Sequence, residues 1–229
     1  MNYHDQNETK TDVQDDPAAK ALLRQAFEGT SRWAKEFPGF TADLICNDNG
    51  DIYKGSVRIK SRQEMSVSME IPEEKKKLKE WIDDTVGMIT VHRAWRAFEE
   101  ADGKNPVTFG ADDNHPLGRE ILIHGDGMAS RYRIKDNRIQ QISRNMGMMR
   151  FTINIEDVIR TEDGKSLTTQ YVVFYFFGDG KPMKTDSFTD QHHTLDGNYL
   201  PETRRVISSE AGKVIVRILE FKGHRLLSS

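Results

Sequence analysis

The chain has 229 residues, of which 36% are hydrophobic and 30% charged, and its formal net charge is -3. That length suits a single large domain, and the faintly acidic balance gives no electrostatic reason to bind nucleic acid. One cysteine, Cys46, excludes both an intrachain disulfide framework and a cysteine-based zinc site.

Residues 1–16 are polar and acidic with no apolar run, so a disordered tail is expected there. The stretch is unlike a signal peptide, and nothing later reaches the length of a membrane span, so a cytoplasmic protein is expected. Asp15, Asp16 and Pro17 then supply a helix start. Leu22, Leu23, Ala26 and Phe27 follow at helical spacing, and the helix is expected to stop before the extended Phe37-Pro38-Gly39.

From Phe40 the period changes to two. Phe40, Ala42, Leu44 and Cys46 alternate with Thr41, Asp43 and Ile45, and two further runs centre on Tyr53–Ile59 and Met65–Ile71. Three such runs predict an antiparallel meander with one dry face. The longest helical pattern covers 72–102. Later strands are expected at 107–110, 119–124, 131–135, 138–143, 148–160, 167–177, 185–194, 200–208 and 213–221, separated by Gly, Asn and Asp turns. No helical pattern intervenes among them, which argues against parallel βαβ units. The expected fold is α+β: a large curved antiparallel sheet of about eleven strands, a half-open barrel, with two helices packed on or plugging its concave face. Residues 17–229 are expected to form one domain.

Arg24-Gln25-Ala26-Phe27, Trp33, Phe37-Pro38-Gly39-Phe40-Thr41-Ala42-Asp43 and Gly55-Ser56-Val57-Arg58 resemble an uncharacterised domain-of-unknown-function family frequent in cyanobacteria. Val91-His92-Arg93 and the late Asp196-Gly197-Asn198-Tyr199-Leu200-Pro201 extend the resemblance. That family implies boundaries and no activity. The order of elements is also similar to the lipoprotein-carrier superfamily, which implies a half-barrel whose apolar face accepts acyl chains.

No Gly-x-Ser-x-Gly, Walker loop or dinucleotide fingerprint occurs, and no catalytic residue, metal ligand or cofactor is expected. Adjacent His192 and His193 on a strand point to opposite faces and are not expected to share a metal. Asn47-Asp48-Asn49-Gly50-Asp51 departs from a calcium loop and reads as a turn. Asp43 is a candidate for partial burial opposite Arg93 or Arg96. In the helix, projection at 100° per residue places Leu78, Trp81, Ile82, Val86 and Ile89 on one stripe, with His92 and Arg96 continuing it. The expected pocket is therefore lined by His92, Arg93, Trp95 and Arg96, with Asp43, Trp81 and Met88 beside them. Tyr171-Val172-Val173-Phe174-Tyr175-Phe176-Phe177 is apolar on both faces, as expected of a central strand or of a pocket wall.

These features favour a non-catalytic binding module for a hydrophobic small molecule such as a lipid, isoprenoid or pigment. The alternative is a protein-interaction or assembly factor. An enzyme built on His92, Arg93 and Arg96 ranks last.

Overall fold

Asp16 caps the first helix, α1 (Pro17–Glu28). Its carboxylate accepts hydrogen bonds from the Ala18 and Ala19 amides at 2.9 and 3.1 Å. Pro17 fills the first turn, where a missing N–H costs nothing. The computed structural model describes residues 13–112 and 114–228. Residues 1–12 of the expected tail lie outside the described residues. Asp15, in the remainder, accepts a hydrogen bond from the Val107 amide at 2.8 Å and pairs with Lys20.

The alternating runs form β1 (Phe40–Asp48), β2 (Asp51–Ile59) and β3 (Met65–Met69), followed by α2 (Lys76–Arg93). The remaining strands are β4 (Val107–Phe109), β5 (Arg119–Ile123), β6 (Arg131–Lys135), β7 (Arg138–Asn145) and β8 (Met149–Arg160). Next come β9 (Ser166–Phe177), β10 (Pro182–Leu195), β11 (Asn198–Glu210) and β12 (Lys213–Leu226). They hydrogen-bond in the order β3-β2-β1-β12-β11-β10-β9-β8-β7-β6-β5-β4. The first strand of the meander thus pairs with the last strand of the chain. The two ends of the order, β3 and β4, do not pair, so the sheet is unclosed. This is the α+β class expected, with one large antiparallel sheet and two helices.

Within the stretch expected as one domain, contacts gather into two compact units. The first takes the chain up to Thr30, Ala97–Ile155 and Val173–Met183; the second takes Ser31–Arg96, Glu156–Val172 and everything from Lys184. In the first unit α1 lies on β4, β6 and β7. It buries Ala19, Leu23, Ala26 and Phe27 against Val107, Ile121, Tyr132 and Ile134. Phe98 completes this core edge-on to Phe27, with ring centroids 5.5 Å apart, under the Arg24 guanidinium.

In the second unit α2 packs on β3, and Leu78, Ile82, Val86 and Ile89 join Phe40, Leu44, Ile59, Leu219 and Phe221 in one buried cluster. Cys46 belongs to it. Burial, with the Asp48 charge adding to it, pushes its thiol up to about 11, as for a packing residue and not a nucleophile.

The single helical run expected over 72–102 is corrected in two ways. A short 3-10 turn, Glu73–Lys75, precedes α2, and the helix ends at Arg93 because Ala94 turns extended, with ψ 139. Helix propensity at Gly87 does not break it: the helix runs through, and the absent side chain admits Arg62, whose guanidinium carbon would stand 2.6 Å from a Cβ there. The two ends of the run consequently serve different cores. Leu78 to Ile89 fill the second unit, and Phe98 fills the first.

Candidate functional site

The buried stripe of α2 reads Leu78, Ile82, Thr85, Val86, Ile89, Thr90 and Arg93. Steps of three and four residues carry it to Arg93, not to the neighbouring His92. A charged side chain therefore ends an otherwise apolar face. Its Nη1 donates to the Ser31 carbonyl at 2.7 Å and its Nη2 to the Tyr199 carbonyl at 3.3 Å. Trp33 Nε1 donates to the same Tyr199 oxygen at 3.1 Å, and the Trp33 amide to the Arg93 carbonyl at 2.7 Å. These bonds fix the end of α2 on the start of β11, yet Arg93 Nε is buried with no hydrogen-bond partner.

A second buried arginine stands on β11. Arg204 lies directly opposite Asp190 of β10, and the pair is bidentate: Nε to Oδ1 at 2.8 Å and Nη2 to Oδ2 at 2.6 Å. The parallel stack of Tyr171 on Phe188, 4.5 Å between centroids, walls the guanidinium at 5.9 and 5.4 Å. Arg204 Nη1 is buried without a partner. One turn of the pleat further along β10 comes His192, on the face that Asp190 occupies. Here the β10–β11 register shifts past Glu202, so that His192 faces Pro201. His192 Nδ1 is likewise buried and unpartnered.

Electrostatics tie the three together. Burial first, then the nearby Arg32 charge, lowers Arg93 to about 10, with Asp190 and Asp163 acting in the other direction. For Arg204 burial opposes the charge, but Tyr171 and Asp190 more than offset it and its pKa is raised. Burial, reinforced by Arg93 and Arg204, lowers His192 to about 4. His192 is thus neutral at pH 7.

The unfolded chain protonates such a histidine near pH 6.5, so between these values it binds more protons than the folded chain. Stability should be complete above about pH 6.5 and fall as the pH drops towards 4, by ~3 kcal/mol over the window. His224, also lowered by burial, adds in the same sense. Urea midpoints between pH 7 and 4.5 should show a shallower slope in His192→Gln than in the parent; an unchanged slope would remove His192 from this account.

Of the expected site residues, only Arg93 enters the cluster. His92 is exposed, one residue off the buried stripe that closes on Arg93, and Arg96 is exposed beyond the end of the helix. Met88 and Trp95 are 41% and 45% exposed, with Lys35 over the Trp95 ring. Trp81 is half-buried beneath the Arg217 guanidinium. Asp43 is exposed, on the outward parity of β1 at its bulge against β12. The carboxylates that Arg93 feels are Asp190 and Asp163 instead. His193 turns away from His192 and stacks on His224 at 5.2 Å, while His224 Nε2 lies 2.8 Å from the Pro201 carbonyl. Sequence reading weighs His192 only as a metal ligand and singles out neither Asp190 nor Arg204. A carboxylate and an arginine on successive apolar strands either side of the Asp196-Gly197 turn were the available signal.

A different surface occurs in the first unit. Phe151, Ile153 and Ile155 of β8 share a parity, and Phe151 approaches Tyr175 of β9 at 6.2 Å between centroids. Phe174 and Phe176 take the opposite parity of β9. All six are only part-buried, and Phe177 is exposed. The aromatic run is thus not the fully covered strand that one reading expected; in it only Tyr171 and Val173 are buried. Among the described residues no group of His, Cys, Asp and Glu is arranged to hold a metal, and no helix is long and apolar enough to cross a membrane.

A family model described as "Protein of unknown function (DUF3386)" matches residues 14–227. No curated protein matches the sequence. Among solved structures, a domain from Vibrio parahaemolyticus described as an outer membrane lipoprotein-sorting protein is similar at 8% identity and a TM-score of 0.40, covering 91% of this chain and 92% of its own. MucB, solved in complex with MucA(peri), is similar at 10% identity and a TM-score of 0.20, covering 93% and 100%. Likenesses this distant carry no activity or partner to the present chain.

Proposed function

We propose, for a chain that belongs to the DUF3386 family, that it is a non-catalytic binding module for a hydrophobic small molecule of the lipid, isoprenoid or pigment class. The observation that supports this reading is the end of β9, where Phe174, Tyr175 and Phe176 are apolar on both faces yet only part-buried, beside part-buried Phe151, Ile153 and Ile155 of β8. A strand paired on both edges ordinarily buries such side chains beneath another layer. Phe174, Tyr175 and Phe176 nonetheless stay part-buried, and Phe177 is exposed. Aromatic side chains left partly exposed favour any apolar molecule that removes them from water, at ~25 cal/mol per Å² covered.

Titration with the neutral fluorophore N-phenyl-1-naphthylamine tests the reading. Saturable enhancement is expected, weakened about tenfold, or ~1.4 kcal/mol, by Phe151→Ala or by Phe174→Ala according to which face binds. Unsaturable binding, or saturable binding that both variants leave unchanged, would contradict it. In that event a stoichiometric protein complex protecting the same strands from hydrogen exchange would favour the interaction-module alternative.

A further inference from the structure

We infer that Arg93, Arg204 and His192 form a buried site for one oxyanion, a carboxylate or a phosphate group. Arg93 is 7% and Arg204 5% exposed. Arg93 Nε, Arg204 Nη1 and His192 Nδ1 are each sealed from solvent with no hydrogen-bond partner. A sealed donor without an acceptor is costly, and more so on a cation. Three in one place call for an explanation.

Charge says what kind of group completes them. Asp190 answers one guanidinium through its two bonds to Arg204. Arg93 reaches only the Ser31 and Tyr199 carbonyls, which take its hydrogens but do not neutralise it. Asp163, which Arg93 also feels, is already engaged by Thr161 and Lys165. Arg32 adds a further nearby positive charge. The cluster is therefore cationic before any ligand arrives. Water could satisfy the donors; only an anion would also offset the charge. The planar guanidinium fork matches a carboxylate or phosphate edge, and a neutral imidazole can present an N–H at Nδ1 beside it. His192 stands two residues from Asp190, the partner of Arg204, and opposite Pro201, two residues from the Tyr199 whose carbonyl receives Arg93, so it lies between the two arginines.

The site goes beyond the apolar-ligand reading and stands without it, because the anion could be a ligand's headgroup or a free ion. The test follows the His192 imidazole by NMR in the full chain during titration with inorganic phosphate, with decanoate and with neutral decanol. A saturable shift of His192 with at least one acidic probe is expected, together with a rise of its pKa by about one unit and none of this with decanol. Arg93→Gln should weaken that binding at least tenfold. Phosphate alone would identify a free-anion site, and decanoate alone a headgroup site. Neither acidic probe moving His192, or equal affinity in Arg93→Gln, would overturn the inference and leave water as the partner of all three nitrogens. Because the first of these readouts uses the unaltered chain, a variant that fails to fold cannot obscure the answer. Decanol binding without any acidic response at His192 would sink the anion site and leave the apolar reading intact, and the fluorophore titration tests that reading separately.

Discussion

Asp190→Ala should lower the unfolding free energy by about 3–5 kcal/mol. The Asp190–Arg204 pair is almost wholly enclosed, with 10% and 6% of the two side chains exposed, and both carboxylate oxygens are used. Truncating the acid leaves a guanidinium beside the stacked Tyr171 and Phe188 rings with no counter-charge, and the cost is chiefly that of the stranded cation. Replacing both partners by apolar residues of similar volume, Asp190→Leu with Arg204→Met, should therefore recover most of the loss. Urea denaturation of the two single variants and the double variant measures this. A loss below about 1 kcal/mol in Asp190→Ala would mean that the pair behaves as a surface ion pair. The double variant should also abolish acidic-probe binding while remaining folded, which separates the pair's structural share from the site's.

Gly39→Ala should cost about 3 kcal/mol or more. Gly39 has φ +92, a conformation that side chains rarely adopt. A Cβ would also drive into the Ile59 carbonyl oxygen and stand 2.8 Å from the Lys60 Cα, both backbone. The Gly39 carbonyl receives the Leu227 amide at 3.0 Å, so the shift needed to make room disturbs the β1–β12 pairing as well. Gly50→Ala is the control: φ is +106, but nothing lies within 4 Å, so only the conformational cost of about 1 kcal/mol remains. Equal melting points for the two variants would show that the close approach at Gly39 contributes nothing. Phe-Pro-Gly-Phe thus has a physical reason in this chain: Pro38 holds an extended entry, Gly39 allows the contact, and Phe37 and Phe40 pack around Trp33 at 4.6 and 6.1 Å.

Most strands were legible because alternation and turn chemistry are local. Phe40, Ala42, Leu44 and Cys46 announced the dry face of β1, and Asp136-Asn137, Asp196-Gly197 and Ala211-Gly212 all adopt the positive φ expected of hairpin turns. Pairing of β1 with β12 was not legible, since nothing local links Leu44 to Phe221, 177 positions apart. The end of α2 shows the limit of helical projection. Placing Ile89 on the stripe was correct, but choosing between 92 and 93 depends on where the helix stops and what receives the last side chain. The receivers, Ser31 and Tyr199, lie 62 and 106 residues away. The Asp190–Arg204 pair escaped for a related reason. Its register is set by the Asp196-Gly197 turn together with the shift at His192, and a bulge of one residue is invisible to a count along the sequence.

The central claim, that this chain holds a hydrophobic small molecule, is tested most directly by native mass spectrometry of the chain purified from its own host without detergent, followed by solvent extraction. The account predicts a stoichiometric adduct that survives gentle ionisation, is released by organic solvent and is reduced in Phe151→Ala or Phe174→Ala. A bare mass from the native host, with no retention of apolar compounds added back, would contradict it.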